Sequence, residues 1–78
     1  MEIFGFPVVV FPEGKGYTSW CPKLDVASQG KTIGDALDNL KEALELHLES
    51  MGEKELVKLR GKPSEGIYTT TINIPLPS

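Results

Sequence analysis

The stretch Gln29–Glu49, QGKTIGDALDNLKEALELHLE, is the longest regularly patterned part of this 78-residue chain. Its apolar residues recur at steps of three, one and four, the 3.6-residue period of a helix that buries one stripe. The predicted stripe consists of Ile33, Ala36, Leu37, Leu40, Ala43, Leu44, Leu48 and Met51. The pattern therefore predicts one amphipathic helix, and this helix needs another element to pack against.

Residues at both ends of this stretch predict where the helix begins and ends. Thr32 precedes the apolar stripe, and Asp35 follows three residues later as an aspartate version of the capping box. Thr32 is therefore the predicted N-cap. Gly52 is predicted to end the helix, because glycine adopts the left-handed conformation that closes many helices.

Four β-strands are predicted around this helix, since β-branched and aromatic residues alternate with glycine and proline turns. The predicted strands are residues 7–11, 17–22, 25–29 and 67–74. A flexible connection with a short element at Leu56-Val57-Leu59 is expected between the helix and the last strand. The order β-β-β-α-β predicts an α+β domain over residues 1–78, with a four-stranded mixed sheet and the helix on one face.

Composition narrows the classes of function. The net charge of −3 disfavours direct binding to a phosphate backbone. Cys21 is the only cysteine, which excludes an intramolecular disulfide and suits a reducing cytoplasm. No stretch approaches the about 20 apolar residues of a membrane span. We therefore expect a cytoplasmic protein that binds neither nucleic acid nor membrane directly.

No catalytic or metal-binding constellation stands out in the sequence. His47 is the only histidine and has no second ligand or nucleophile at a usable spacing. Cys21 lies in a predicted strand, where a buried hydrophobic role is the usual one. The acidic residues of the helix follow the pattern of a solvated face. We therefore expect no enzyme activity, no metal and no cofactor.

The first two strands predict a surface for association. Side-chain alternation places Trp20 on the face opposite Tyr17, and exposed tryptophan is favoured at interface centres. If the faces are reversed, Trp20 belongs to the core instead. The predicted partner or oligomer interface consists of Val8, Val10, Thr18 and Trp20.

The run Val8–Phe11 is apolar on both faces, yet one helix can cover only one of them. A chain this short buries only about 60% of its unfolded surface, which also favours association. Two copies meeting by two-fold symmetry would cover the second face, and so would a different protein partner. We therefore predict a homo-oligomer, and a different protein partner at this face is the alternative.

Three runs in fixed order carry a family resemblance: Gly16–Leu24, Ser28–Thr32 and Ala36–Leu44. The family's pattern is a glycine-tyrosine strand, a proline-acidic-leucine turn, a glutamine-glycine-acidic-threonine helix start and a helix with alanine-leucine-x-asparagine and lysine-glutamate-alanine steps. In this chain Lys23 replaces the acidic residue of the turn. In this order and spacing the three runs resemble the HicB-like antitoxin family. The resemblance covers most of the chain.

The resemblance implies a partly degraded ribonuclease-H-like fold that binds and neutralises a HicA-type toxin, a small basic mRNA interferase. Many such antitoxins add a C-terminal DNA-binding module, and none is expected in the few residues after Ile74. A nuclease activity is not expected, because neither the first nor the last predicted strand contains a carboxylate. The alternative function is a stand-alone oligomeric scaffold or small-ligand-binding domain without a toxin partner.

Overall fold

A computed structural model describes residues 3–52, 54–56 and 70–75 of the chain. Its elements are β1 (Ile3–Glu13), β2 (Gly16–Cys21), β3 (Val26–Gly30), α1 (Ile33–Glu49) and β4 (Thr70–Pro75). The predicted α+β class and the order β-β-β-α-β are confirmed. Val57 and Leu59 of the predicted connection, and residues 67–69 of the predicted last strand, lie outside the described residues.

The four strands form one sheet in the order β3-β2-β1-β4. Every neighbouring pair is antiparallel, including β1 with β4, where Phe6 lies opposite Ile72. The prediction of a mixed sheet is therefore wrong, because β4 runs antiparallel to β1. A long connection follows α1, and such a connection permits either direction, so the pattern of β4 alone does not fix it.

β1 pairs with a different neighbour along each half of its length. Ile3–Val8 pair with β4, whereas Val9–Glu13 pair with β2. The prediction that the strand begins near Pro7 is wrong, because Pro7 lies within β1 opposite Thr71. Pro7 precedes the first β1–β2 pair, so β2 does not pair with it. Proline has no backbone N–H to donate, and it is tolerated where a strand has no hydrogen-bonding neighbour on one side.

α1 packs on one face of the sheet and encloses the core. The helix contributes Ala36, Leu40, Leu44 and Leu48, which are all buried. The sheet contributes Phe6, Val8, Cys21, Ile72 and Ile74. Ile33 is an exception to the predicted stripe, since it lies exposed in the first turn of the helix.

The N-cap prediction is confirmed, because the backbone amide of Asp35 donates to Thr32 Oγ1 at 3.0 Å. The prediction for Gly52 is wrong. The helix ends at Ser50, whose backbone is right-handed and whose amide donates to the carbonyls of His47 and Leu48. Gly52 instead begins another helical turn, since its carbonyl accepts from the amides of Glu55 and Leu56.

Two tight turns join the first three strands. Gly14 has a φ of +60°, and the pair Glu13–Gly16 encloses a two-residue turn of the II′ kind. Asp25 has a φ of +54° and belongs to the turn between β2 and β3, rather than to the predicted third strand. Aspartate is one of the few residues that adopts this left-handed conformation at modest cost.

Polar side chains join α1 to the neighbouring strands. Ser19 is buried, and its Oγ donates to the carbonyl of Ala36 at 2.7 Å. Asn39 Nδ2 donates to the carbonyl of Gln29 at 2.7 Å, which covers part of the outer edge of β3. Across the described residues, no helix has the length and apolar character needed to cross a membrane.

Candidate protein-binding face

One face of the sheet is turned away from α1, and we refer to it as the open face. Ser19 contacts the helix, so its neighbours Thr18 and Trp20 lie on the opposite side of β2. The β1–β2 register places Val9 opposite Trp20 and Phe11 opposite Thr18. The open face consists of Ile3, Gly5, Pro7, Val9, Phe11, Glu13, Thr18, Trp20, Ala27, Gln29, Thr71, Asn73 and Pro75.

Large apolar side chains are exposed on the open face. Trp20 is 37% exposed, Phe11 39% and Ile3 64%. Val9 and Pro7 lie between them and are half-buried. Within residues 3–52, 54–56 and 70–75, no helix or strand covers this face. Exposed apolar residues gathered in this way are typical of a protein-interaction site.

Trp20 is held in one orientation by the turn that follows its strand. Its indole Nε1 donates to Asp25 Oδ1 at 3.1 Å. The indole nitrogen is the only polar atom of this side chain, and the hydrogen bond to Asp25 satisfies it within the chain. The rest of the ring system is left as a preorganised apolar surface.

The structure separates the four residues of the predicted interface into two pairs. Thr18 and Trp20 lie on the open face, but only Trp20 is exposed, since Thr18 is buried and donates its hydroxyl to Glu13 Oε2. Val8 and Val10 do not lie there, and this part of the prediction is wrong. Val8 is fully buried in the core, and Val10 lies opposite the helix-facing Ser19.

Sequence reasoning missed Val9 and Phe11 because Val8–Phe11 is apolar at every position, so alternation leaves the two faces equivalent. The hairpin contains the signal that distinguishes them. A two-residue turn pairs Glu13 with Gly16, and this register then places Val9 beside Trp20. The glycines identify the turn, but only the register of the hairpin distinguishes the two faces of β1.

The outer side of α1 has the opposite character. It carries a line of exposed carboxylates that we call the acidic ridge: Asp35, Asp38, Glu42, Glu45 and Glu49. Lys41 is the basic residue among them, and His47 is exposed near the end of the helix. Steps of three and four keep these side chains on one side of the helix. The acidic ridge and the open face therefore lie on opposite sides of the molecule.

Other features of the described residues offer no comparable site. Cys21 is buried beneath α1, and burial raises the pKa of its thiol, which keeps it protonated. A shallow depression of about 370 Å³ lies at the hairpin end of the sheet, beside Lys15, Tyr17 and Lys31. It is open to solvent and lacks the enclosed apolar walls that small-molecule sites have.

The chain is similar to the UPF0150 protein ssr1765 of Synechocystis sp. (strain ATCC 27184 / PCC 6803 / Kazusa). The two are 38% identical over 52 residues, which span 64% of this chain and 66% of the relative, just under two thirds of its length. No protein-family model and no solved structure matches the chain. The similarity links this chain to a protein of an uncharacterised family.

Proposed function

We propose that this chain is a non-enzymatic, antitoxin-like binding protein of the cytoplasm that neutralises a HicA-type toxin. Its partner is then a small basic protein that cleaves mRNA. The resemblance of the Gly16–Leu24, Ser28–Thr32 and Ala36–Leu44 runs to HicB-like antitoxins suggests this partner. The acidic ridge of α1 is the observation that carries the proposal.

The ridge suits a cationic partner for electrostatic reasons. A protein that cleaves RNA needs a positively charged surface to bind the phosphate backbone. Carboxylates along four turns of α1 present an array of negative charge to such a surface, and the net charge of −3 reinforces the field. Complementary charge accelerates encounter and excludes like-charged partners. By occupying the cationic surface, the ridge would compete directly with RNA.

The test is co-expression with a short basic protein encoded beside this chain. We expect the pair to co-purify and the antitoxin-like chain to restore growth. Glu42→Lys should weaken the complex without weakening the helix, because the introduced lysine would follow Asp38 by four residues. Glu55→Lys makes the same charge change at an exposed position off α1 and serves as the matched control.

The outcomes separate the proposal from its alternative. A complex that is weakened by Glu42→Lys, but not by Glu55→Lys, supports toxin binding through the ridge. The absence of both a complex and growth rescue would reject the antitoxin-like function. The alternative of a stand-alone oligomeric scaffold is favoured by the exposed apolar residues of the open face, and it requires that no basic partner protein forms a complex with this chain.

A further inference from the structure

We infer that the open face is the contact between two copies of this chain, related by two-fold symmetry, with Trp20 and Phe11 near its centre. This inference goes beyond toxin binding and does not depend on it. It replaces the predicted interface residues Val8 and Val10 with Val9 and Phe11, which the register places beside Trp20 and Thr18. The composition, organisation and size of the face all support a second copy as its occupant.

The centre of the open face is apolar and uncharged. Val9, Trp20 and Ala27 form a row across three strands, because the register pairs Val9 with Trp20 and Trp20 with Ala27. Gln29, Thr71 and Asn73 are exposed around it. An apolar centre with a polar rim is the usual anatomy of a protein interface.

Charge favours a second copy over a cationic partner at this face. The carboxylates nearest the Val9–Trp20–Ala27 row, Asp25 and Glu13, already accept hydrogen bonds from Trp20 and Thr18, whereas the five carboxylates of the acidic ridge lie on the other side of the molecule. Two copies with a net charge of −3 repel each other, and contact through the open face keeps their acidic ridges far apart. The two functions therefore occupy different surfaces.

The size of the face is adequate for a modest dimer. Four strands about 4.8 Å apart and about 20 Å long present on the order of 400 Å² in projection. Side chains that stand out from the sheet make the accessible area larger than this projection, and the about 800 Å² per partner of a standard interface sets its upper bound. Pairing through the β3 edge is less favourable, because Asn39 already occupies the carbonyl of Gln29.

The experiment is sedimentation of the purified chain over a range of concentrations, without any toxin. We expect a dimer that Phe11→Lys weakens by at least about 30-fold, as for a central interface residue. Leu46→Lys is the matched control, because Leu46 is 63% exposed on the outer side of α1 and should leave the dimer unchanged. Circular dichroism checks that both variants fold.

Trp20 provides a second readout that needs no variant, since it is the only tryptophan in the chain. Its fluorescence emission should move to longer wavelength on dilution, as the dimer dissociates and the indole meets water. A wild-type monomer at all concentrations, or a dimer equally insensitive to Phe11→Lys and Leu46→Lys, would overturn the inference. Because no toxin is present, neither result bears on the proposed function.

Discussion

Gly30 and Ala36 approach so closely that a Cβ built on Gly30 would collide with the backbone nitrogen of Ala36 and lie 2.6 Å from the carbonyl carbon of Asp35. The obstructing atoms belong to the backbone of the first helical turn, so they cannot rotate away. The absence of a side chain at the end of β3 therefore allows α1 to lie against the sheet. Ala36, at this contact, and Leu40, one turn further along α1, are both fully buried.

Gly30→Ala should therefore lower the free energy of unfolding by about 2–3 kcal/mol, as overpacking does in a tightly packed site. Urea denaturation measures the change. Gly34→Ala is the control, because the nearest atom to a Cβ there is Thr32 Oγ1 at 3.8 Å. That substitution should stabilise the protein by about 0.5–1 kcal/mol through helix propensity. Equal effects of the two substitutions would contradict the packing argument.

Thr32→Ala should cost about 1 kcal/mol of stability, because the amide of Asp35 loses its side-chain acceptor at the start of α1. Thr32→Ser retains the hydroxyl and should stay close to the wild type. Thermal melts of the three proteins make the comparison. An unchanged midpoint for Thr32→Ala would show that the cap contributes nothing to folding.

Two substitutions of Asp25 should differ in their effect on the stability of the protein. Asp25→Asn keeps both an acceptor for the Trp20 indole and tolerance of a positive φ, so its effect should be small. Asp25→Ala loses both and should destabilise the chain by about 1–2 kcal/mol. Denaturant titration and the Trp20 emission maximum distinguish the two variants. Similar losses in both would show that the carboxylate charge, rather than the hydrogen bond, matters.

The Cys21 thiol should react slowly with alkylating reagents in the folded protein and rapidly after unfolding, since burial both shields it and raises its pKa. The folded state keeps its proton at a pH where the unfolded thiol, with an ordinary pKa of 9.0, releases it. Stability should therefore fall as the pH rises past about 9. Cys21→Ala should lose less stability at alkaline pH than the wild type, because it has no thiol to release a proton. Equally fast labelling of folded and unfolded protein would contradict the burial of this residue.

The purified chain is expected not to cleave RNA or DNA, with or without Mg²⁺ or Mn²⁺. Metal-dependent cleavage needs carboxylates that converge on the ions. β1 extends to Glu13 and so contains one carboxylate that the predicted strand lacked, but this group accepts a hydrogen bond from Thr18. Reproducible cleavage that is lost in Glu13→Gln would contradict the prediction.

The sequence was sufficient for features that local chemistry determines. The period of α1 and the Thr32 cap follow from residues within a few positions of one another. The direction of β4 and the face occupied by Val8 depend on distant pairing, which no local pattern contains. The end of the helix was also not predictable from residue type alone. Ser50, whose backbone is right-handed, ends the helix before Gly52 is reached.

The divided pairing of β1 has a consequence for how the fold opens. Release of β4 would withdraw Ile72 and Ile74 from the core and break the pairs along Ile3–Val8, but it would leave the strand pairs of the β1–β2–β3 meander intact from Val9 onward. The sheet therefore contains two potential units of local unfolding that share one strand. Native-state hydrogen exchange should show the β4 amides opening together with their partners in Ile3–Val8, at lower free energy than the amides shared by β2 and β3.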